Sequence, residues 1–342
     1  MKLALQVSLL LMMLLGFVLA GCAGSDLAPS PSATPSDLEI ATSAPTESSH
    51  PLPTPTHTST PVATPTRVVT EPPLEEQLNC GETFCQVDWP GILMRPFSEE
   101  FRTTTDPTYP YASTKAGLLD VHHGVEFPNA FGTPVRAAAA GEVVFAGGDD
   151  LTLIGPYTGF YGNVVILSHP DLYQGRDLFS LYAHLSEIAV SEGDQLGAGE
   201  VLGQVGASGA ADGSHLHFEV RLDENAYSQT MNPILWFSQG LGQNEPQSAV
   251  LTGTILDRFG NPLPEFEFVL ERRGDDGDQV QRYYPVTYVS YGVNSHPLLE
   301  ENFAVPDLPP GDYRMAFIAG RFYEFEFTLR PGELGIIRVQ VD

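Results

Sequence analysis

The sequence predicts an all-β protein: an antiparallel β-sheet core with a groove, followed by a small β-sandwich. Short runs in which apolar and polar residues alternate recur between Val135 and Val341, separated by glycine-containing turns. No stretch of any length in the core shows the period of an amphipathic helix. With 342 residues, of which 42% are hydrophobic, the chain has room for two domains with a substantial core in each.

The N-terminus carries an export signal. Met1-Lys2 and an apolar run to Ala20 predict a signal peptide over residues 1–21. The run ends in Leu19-Ala20-Gly21-Cys22, which resembles the bacterial lipobox. That resemblance implies cleavage before Cys22, a diacylglyceryl group on its thiol, and a mature protein that is lipid-anchored to the membrane, outside the cytoplasm. Two alternatives are an ordinary signal peptide with an incidental Cys22 and a retained membrane helix, although the run is near the short limit for a span.

Residues 22–78 are predicted to be a disordered linker. Between Ser25 and Pro73 the composition is dominated by Pro, Ser, Thr and Ala, without large apolar residues in a periodic arrangement. Such a segment buries too little surface to offset its chain entropy, and its prolines keep it extended. We therefore expect the linker to hold the folded part of the chain away from the membrane surface.

The chain is strongly acidic, with a formal net charge of −27 at pH 7. This charge argues against nucleic acid as a partner, because phosphate neutralisation requires clustered Lys and Arg. We interpret the acidity as a source of general solubility for an exported protein.

The entrance to the fold contains two more cysteines and a proline-rich lead-in. Cys80 and Cys85 are predicted to form a disulfide that closes a short loop through Gly81. A two-thiol metal site is the alternative, but no further Cys follows to complete one. Residues 89–120 are then predicted to form an irregular lead-in to the sheet. We interpret the aromatic side chains of this lead-in, Tyr109 among them, as packing on the sheet without a functional role.

The core that follows is predicted to consist of short strands. They cover residues 135–138, 142–146, 163–167 and 179–184, with a tight turn at Ala140-Gly141 between the first two. We interpret His169, at the end of the third strand, as a structural or surface histidine.

Six of the nine histidines lie between positions 122 and 217, and their spacing points to a metal site. In a strand His215 and His217 project to the same face. His122 and Glu126 would be about 13 Å apart on a straight strand, so a bend is needed, and Gly124 lies where it would occur. Two His and one carboxylate form the ligand set of many catalytic zinc sites, whereas structural zinc sites are usually closed by four ligands with Cys prominent.

These stretches resemble the signature of the lysostaphin-type (LytM, M23) zinc metallopeptidases, and the resemblance runs from about Gly117 to Trp236 within a domain over 79–242. The motifs that carry it are His122-x-x-x-Glu126, Tyr182-Ala183-His184-Leu185 and His215-Leu216-His217-Phe218-Glu219-Val220, with Gly132-Thr133-Pro134-Val135 and Gly141-Glu142-Val143-Val144 between the first two. The family's fold and activity are thereby expected here.

The resemblance implies a role for each matched residue. His122, Glu126 and His217 would bind one zinc ion, and His184 and His215 would serve catalysis. His123 occupies a variable position of the motif. Glu126 departs from the family, which has Asp there; Glu is a normal zinc ligand, and it adds about 1.5 Å of reach.

Residues 249–342 are predicted to form the sandwich. The turn Pro309-Pro310-Gly311-Asp312-Tyr313 and the alternation over 322–327 and 336–341 resemble a carboxypeptidase-regulatory-like, prealbumin-type β-sandwich. His296 stands alone there, without a catalytic constellation. The expected roles are binding of the wall, a glycan or a partner, or spacing and stability.

Two functions remain in competition. In the first, the protein is a zinc endopeptidase that cleaves peptidoglycan in its stem peptides or cross-bridges. In the second, it is a catalytically weak or inactive module that binds peptidoglycan or regulates another wall hydrolase as its protein partner. The four histidines of the motifs favour the first, and Glu126 is the feature that favours the second.

Overall fold

The computed structural model describes residue 78 and residues 83–238, 248–274 and 280–342. Over these residues the regular structure is β-strand, apart from two short 3₁₀ helices, Tyr227–Gln229 and Pro233–Leu235. The predicted all-β class is therefore confirmed. Within these ranges, no helix combines the length and the apolar character needed to cross a membrane.

Eighteen strands are found in the described ranges. The first ten are β1 (Phe84–Asp88), β2 (Val125–Pro128), β3 (Pro134–Arg136), β4 (Gly141–Gly148), β5 (Asn163–Tyr173), β6 (Arg176–Ala183), β7 (Leu185–Ile188), β8 (Gln195–Leu196), β9 (Val201–Val205) and β10 (His215–Leu222). The remaining eight are β11 (Thr230–Met231), β12 (Ala249–Leu256), β13 (Val269–Arg273), β14 (Val280–Tyr283), β15 (Phe303–Leu308), β16 (Gly311–Ala319), β17 (Arg321–Leu329) and β18 (Glu333–Gln340).

Residues 89–238, called the groove domain below, are built on a seven-stranded antiparallel sheet. Its order is β11-β10-β6-β5-β4-β8, and β2 also pairs with β10. A smaller sheet of order β3-β9-β7 adjoins it. The chain passes from one sheet to the other at His184, which lies between β6 and β7. The catalytic candidate of the second motif thus occupies a corner of the fold.

Two further four-stranded sheets make up the C-terminal sandwich. Their orders are β1-β18-β12-β15 and β14-β13-β16-β17. One core joins the two sheets, because Leu251 and Phe303 of the first pack in the same cluster as Leu270 and Met315 of the second. Alternating apolar residues on the facing strands supply this core, as the sequence pattern predicts.

The sandwich also uses a strand from the start of the fold. The domain predicted over 79–242 includes β1, but this strand pairs antiparallel with β18, with Phe84 opposite Ile337. Phe84 stacks on Phe327 of the other sheet, at a centroid distance of 4.5 Å. Both contacts are long-range, and no local pattern in 84–88 reveals them.

A single buried cluster connects the groove domain with the sandwich. It contains Phe127, Phe218 and Trp236 together with Tyr288 and Leu334 of the sandwich. His296 is buried at this boundary, where its ring contacts Trp89, Tyr173 and Trp236. The two parts therefore share apolar surface.

The predicted disulfide lies at the edge of the described ranges. Cys85 is disulfide-bonded. Cys80 and the lipidation candidate Cys22 lie outside the described residues. The pairing of Cys80 with Cys85 and the anchor at Cys22 stay predictions.

Strand β5 is longer than the sequence pattern indicates and extends to Tyr173. His169 therefore lies within this strand and not at its end. Its Nδ1 is 2.8 Å from the carbonyl oxygen of Ala140, and its Nε2 is 2.8 Å from Ser180 Oγ. Both ring nitrogens are occupied by neighbours, which fits the structural role expected for this histidine.

Candidate metal site

The site is built on one face of β10. Strand alternation places His215, His217, Glu219 and Arg221 on the same side. The opposite row, Leu216, Phe218, Val220 and Leu222, is fully buried in the apolar core. A rigid, half-apolar strand therefore holds four polar side chains in a row.

Strand β2 adds the carboxylate. Glu126 lies directly opposite His217 in the antiparallel pairing. Its Oε1 is 3.0 Å from His217 Nδ1, and its Oε2 is 3.1 Å from His215 Nε2. The longer side chain of Glu thus reaches both histidines of the last motif.

His122 completes a triangle of ligand atoms. Its Nε2 lies 2.9 Å from Glu126 Oε1 and 3.3 Å from His217 Nδ1. His122 precedes β2, which begins at Val125, so the two members of the first motif are not on one straight strand. The structure thus brings together the three residues that the sequence predicts as metal ligands.

Gly124 allows this approach. A Cβ atom at this position would lie 2.7 Å from His217 Cε1 and 2.5 Å from the carbonyl oxygen of Phe218. Real side chains do not tolerate such distances, so a larger residue would displace the His217 ring. The glycine that the sequence marks as a bend is required by close packing against a candidate ligand.

The donor atoms fit a zinc ion. Ligands at about 2.0–2.1 Å around tetrahedral zinc are separated by about 3.3 Å, and the three sides of the triangle measure 2.9, 3.0 and 3.3 Å. Glu126 Oε2 is buried and makes no hydrogen bond of good geometry within the described part of the chain. Two imidazoles and one carboxylate also match the chemistry of an open zinc site.

The electrostatics favour a cation at the same point. Burial lowers the pKa of His217, but the carboxylates of Glu126 and Glu219 outweigh it and raise the pKa to about 9. Burial likewise opposes ionisation of Glu126, but His217 and His122 hold the pKa of its carboxyl well below the ordinary value. The pocket is therefore arranged around a negative centre that attracts positive charge.

Behind His217 lies a buried support that sequence reasoning did not identify. His217 Nε2 donates to Glu219 Oε1 at 3.1 Å, and Arg221 Nε donates to Glu219 Oε2 at 2.8 Å. The hydroxyl of Tyr161 also donates to Glu219 Oε1. Although burial opposes it, Arg221 and His217 lower the pKa of Glu219 to about 2. The carboxylate fixes Nε2 as the protonated nitrogen of His217 and leaves Nδ1 for a metal.

The two catalytic candidates face each other beside the triangle. The rings of His184 and His215 are in edge contact, with centroids 4.9 Å apart. His184 Nδ1 donates to the carbonyl oxygen of Ser208 at 2.8 Å, and His215 Nδ1 donates to that of Gly213 at 3.0 Å. Each ring is thereby oriented by its Nδ1, and the Nε2 of His215 lies 3.1 Å from Glu126 Oε2.

His184 is held in a strained conformation. Its φ of 60° lies in the left-handed region, which is uncommon for a residue with a Cβ. The backbone is fixed by its N–H, which donates to the carbonyl oxygen of Tyr161 at 2.9 Å. Burial, with a contribution from His217, lowers the pKa of His184 to about 4. This histidine is therefore neutral at pH 7, as a proton acceptor must be.

Of two side chains near the triangle, one points away from it and the other contacts it. His123 turns away from the triangle: its Nδ1 is 2.7 Å from Thr230 Oγ1, and its ring stacks on Tyr227. Tyr109, which the sequence left without a role, stacks on His122 with centroids 4.0 Å apart and planes 6° apart. No local signal in the lead-in identifies this contact.

The site opens into a cavity of about 460 Å³. Aromatic residues of its wall include Tyr109, Tyr157, Phe160 and Tyr227, and carboxylates of its wall include Asp106, Asp120 and Asp212. His122, Glu126, His184, His215 and His217 all line this groove. The predicted groove and the five predicted site residues therefore coincide.

Known proteins share the part of the chain that carries this site. Residues 120–233 match the model of peptidase family M23. The DD-carboxypeptidase/endopeptidase Mpg of Neisseria meningitidis is 38% identical over 114 residues, which are 33% of this chain and 22% of that protein. The peptidoglycan DD-endopeptidase ShyB of Vibrio cholerae is 31% identical over 143 residues, 42% of this chain and 30% of the relative.

Among solved structures, the catalytic domain of lysostaphin from Staphylococcus simulans is 26% identical to this chain. The superposition covers 46% of this chain and 93% of the lysostaphin chain, with a TM-score of 0.30. The chain thus spans less than a third of the length of the two curated relatives. The matched region contains every residue of the triangle and both histidines beside it. The similarity to peptidase family M23 over residues 120–233 therefore extends over the whole candidate site.

Proposed function

We propose that the protein is a zinc metalloendopeptidase that hydrolyses peptide bonds in the stem peptides or cross-bridges of peptidoglycan. The observation that carries this proposal is the convergence of His122 Nε2, Glu126 Oε1 and His217 Nδ1 within 3.3 Å of one another, at a groove that His184 and His215 also line. The names of the relatives Mpg and ShyB support the reaction, and that of ShyB supports the substrate.

His122, Glu126 and His217 would hold one zinc ion, and a zinc ion bound there would supply a Lewis acid for the scissile carbonyl. Glu219 keeps the His217 ring in the required tautomer, since it accepts the Nε2 hydrogen. The stacked ring of Tyr109 restricts the orientation of the His122 ring. The two histidines of the site that are not candidate ligands, His184 and His215, are then the candidates for proton transfer.

His215 and His184 are the residues for proton transfer. Their Nδ1 atoms donate to backbone carbonyls, and both rings line the groove. One imidazole can take a proton from the attacking water, and an imidazolium formed in this way can protonate the leaving amine. Both rings line the groove and contact each other, which supports a shared role in proton transfer.

The same proposal places the protein outside the cytoplasmic membrane, anchored through a lipid on Cys22 and extended by the linker over residues 22–78. Peptidoglycan is found in this location, and the linker would give the groove reach towards it. The domain limits 79–242 and 249–342 belong to the proposal as well, with β1 contributed to the C-terminal part.

Incubation with purified peptidoglycan tests the reaction. We expect the chain without its signal peptide to release new free amino groups when loaded with zinc, and not after treatment with a chelator. His215→Ala is the matched control, because it leaves the three ligands in place. Zinc-loaded protein that binds peptidoglycan without releasing amino groups would instead support the binding or regulatory module.

A further inference from the structure

A strained segment connects the metal site with the C-terminal sandwich. This segment, residues 109–122, is called the strap below. Ala112, Lys115 and Ala116 have φ values of 63°, 48° and 57°, in the left-handed region that is uncommon for residues with a Cβ. Several such residues in a short stretch persist only where surrounding contacts hold them.

On one side the strap holds His122. The N–H of Ala112 donates to the carbonyl oxygen of His122 at 2.8 Å, and the N–H of His122 donates to that of Ser113 at 3.0 Å. The ring of Tyr109 lies parallel to the His122 ring. The strap therefore fixes both the backbone and the imidazole of a candidate ligand.

On the other side the sandwich holds the strap. The N–H of Val289 donates to the carbonyl oxygen of Ala112 at 3.1 Å, and Thr114 Oγ1 donates to Glu265 Oε1 at 2.8 Å. Between these contacts lies Tyr111, which is 2% exposed and meets the ring of Tyr288 edge-on, with centroids 5.4 Å apart.

The hydroxyl of Tyr111 bridges the two parts. It accepts the N–H of Asn294 in the sandwich at 3.0 Å and donates to the carbonyl oxygen of Thr230 in the groove domain at 2.8 Å. Thr230 is also the residue whose Oγ1 contacts His123, next to His122. Tyr111 and Thr230 thus link the sandwich to the residue that precedes Gly124 and follows His122 in the chain.

We propose that the C-terminal sandwich positions His122 through the strap, with Glu265, Thr114 and Tyr111 as positioning residues. The inference rests on the proposed function of the metal site. It gives the sandwich a part in the reaction, beyond the wall binding or spacing expected of it. The strap's strain is maintained by contacts that only the assembled chain provides.

Glu265→Ala is the sharpest test, because Glu265 is exposed and its side chain contacts the strap through Thr114. We expect zinc affinity, measured by chelator competition, to fall about three- to tenfold, the effect of one lost hydrogen bond. Tyr111→Phe is expected to reduce it by at least as much. Glu267→Ala, an exposed glutamate two residues along the same loop, is the matched control and should keep the parental affinity.

Two additional measurements distinguish a changed position of His122 from a general loss of stability. One uses a different metal and the other uses no metal. The visible absorption of the cobalt-substituted protein is expected to change in Glu265→Ala and not in Glu267→Ala, because the ligand geometry changes. In metal-free protein, amide hydrogen exchange at Ala112 and His122 is expected to be faster in Glu265→Ala.

Unchanged exchange at both amides would overturn the inference whether or not the parent binds zinc. A parent that binds zinc, together with variants of parental affinity and spectrum, would overturn it as well. If the parent binds no zinc but Glu265→Ala still exchanges faster than the parent at Ala112 and His122, the positioning of His122 would be supported and the proposed function alone contradicted.

Discussion

Glu219 accepts the Nε2 hydrogen of His217 at 3.1 Å and thereby decides which nitrogen of that ring faces Glu126. Glu219 is fully buried, and Arg221 balances its charge. The orientation of a candidate ligand is thus set by a carboxylate two residues further along the same strand. Such outer partners of a ligand histidine are worth about 10–100-fold in metal affinity.

Glu219→Gln is therefore expected to weaken zinc binding by about 10–100-fold, measured by chelator competition. Arg221 would also lose its buried counter-charge, at a cost of about 3–5 kcal/mol in the free energy of unfolding, so circular dichroism must first show that the variant is folded. Glu187→Gln, an exposed glutamate on β7, is the control. Parental zinc affinity in folded Glu219→Gln would refute this role.

Tyr109 is expected to contribute to zinc binding through its stack on His122. Such ring pairs contribute about 0.5–1.5 kcal/mol, so Tyr109→Ala should lower zinc affinity about two- to tenfold, and Tyr109→Phe should preserve it. Tyr157→Ala removes an aromatic side chain that lines the same cavity and should leave the affinity unchanged. Equal affinities for Tyr109→Ala and the parent would show that the stack does not matter.

Ligand and catalytic histidines are expected to separate in a comparison of metal content with turnover. His217→Ala should lose the metal, because it removes one corner of the triangle. His215→Ala and His184→Ala should retain it, with kcat reduced by about 10²–10⁴. Full zinc content in purified His217→Ala protein would contradict the assignment.

The free energy of unfolding is expected to depend on pH through Glu301, at the boundary with the sandwich. Burial raises its pKa from the ordinary 4.5 to about 8. A raised folded-state pKa means that the folded chain binds a proton that the unfolded chain releases. The contribution to stability is therefore complete below pH 4.5 and is lost as the pH rises through about 8.

Urea denaturation between about pH 6.5 and about pH 8 measures this loss, which we expect to reach about 2 kcal/mol. The interval keeps the opposing effect of nearby His296 small, because burial lowers the pKa of this histidine from 6.5 to about 4 and most of its effect therefore falls below pH 6.5. Glu301→Gln should flatten the dependence, whereas exposed Glu300→Gln should not. An equally steep decline in Glu301→Gln would disprove the account.

The sequence predicts those parts of the fold and site that depend on local pattern. Alternation along 215–222 places His215 and His217 on one face, and both contact Glu126 in the structure. The bend at Gly124 follows from the reach that His122 and Glu126 need, and the close packing of His217 explains it.

Contacts between residues far apart in the chain could not be read in this way. Tyr109 and His122 lie at opposite ends of the strap in sequence, and their stacking depends on how the strap folds. Strand β1 pairs with a partner about 250 residues away, so its pattern alone does not say which sheet it joins. The burial of Glu219 beside Arg221 likewise depends on the assembled core, although the spacing on β10 places both on the face of His217.

The most direct test of the central claim is the zinc content of the purified chain, measured for the parent and for Glu126→Asp side by side, together with peptide release from peptidoglycan. We predict one zinc per chain and hydrolysis in the parent, since Glu126 Oε1 already lies within 3.0 Å of both ligand nitrogens. A parent without zinc or turnover, in which Asp restores either, would show that Glu126 disables the site and would contradict the proposed activity.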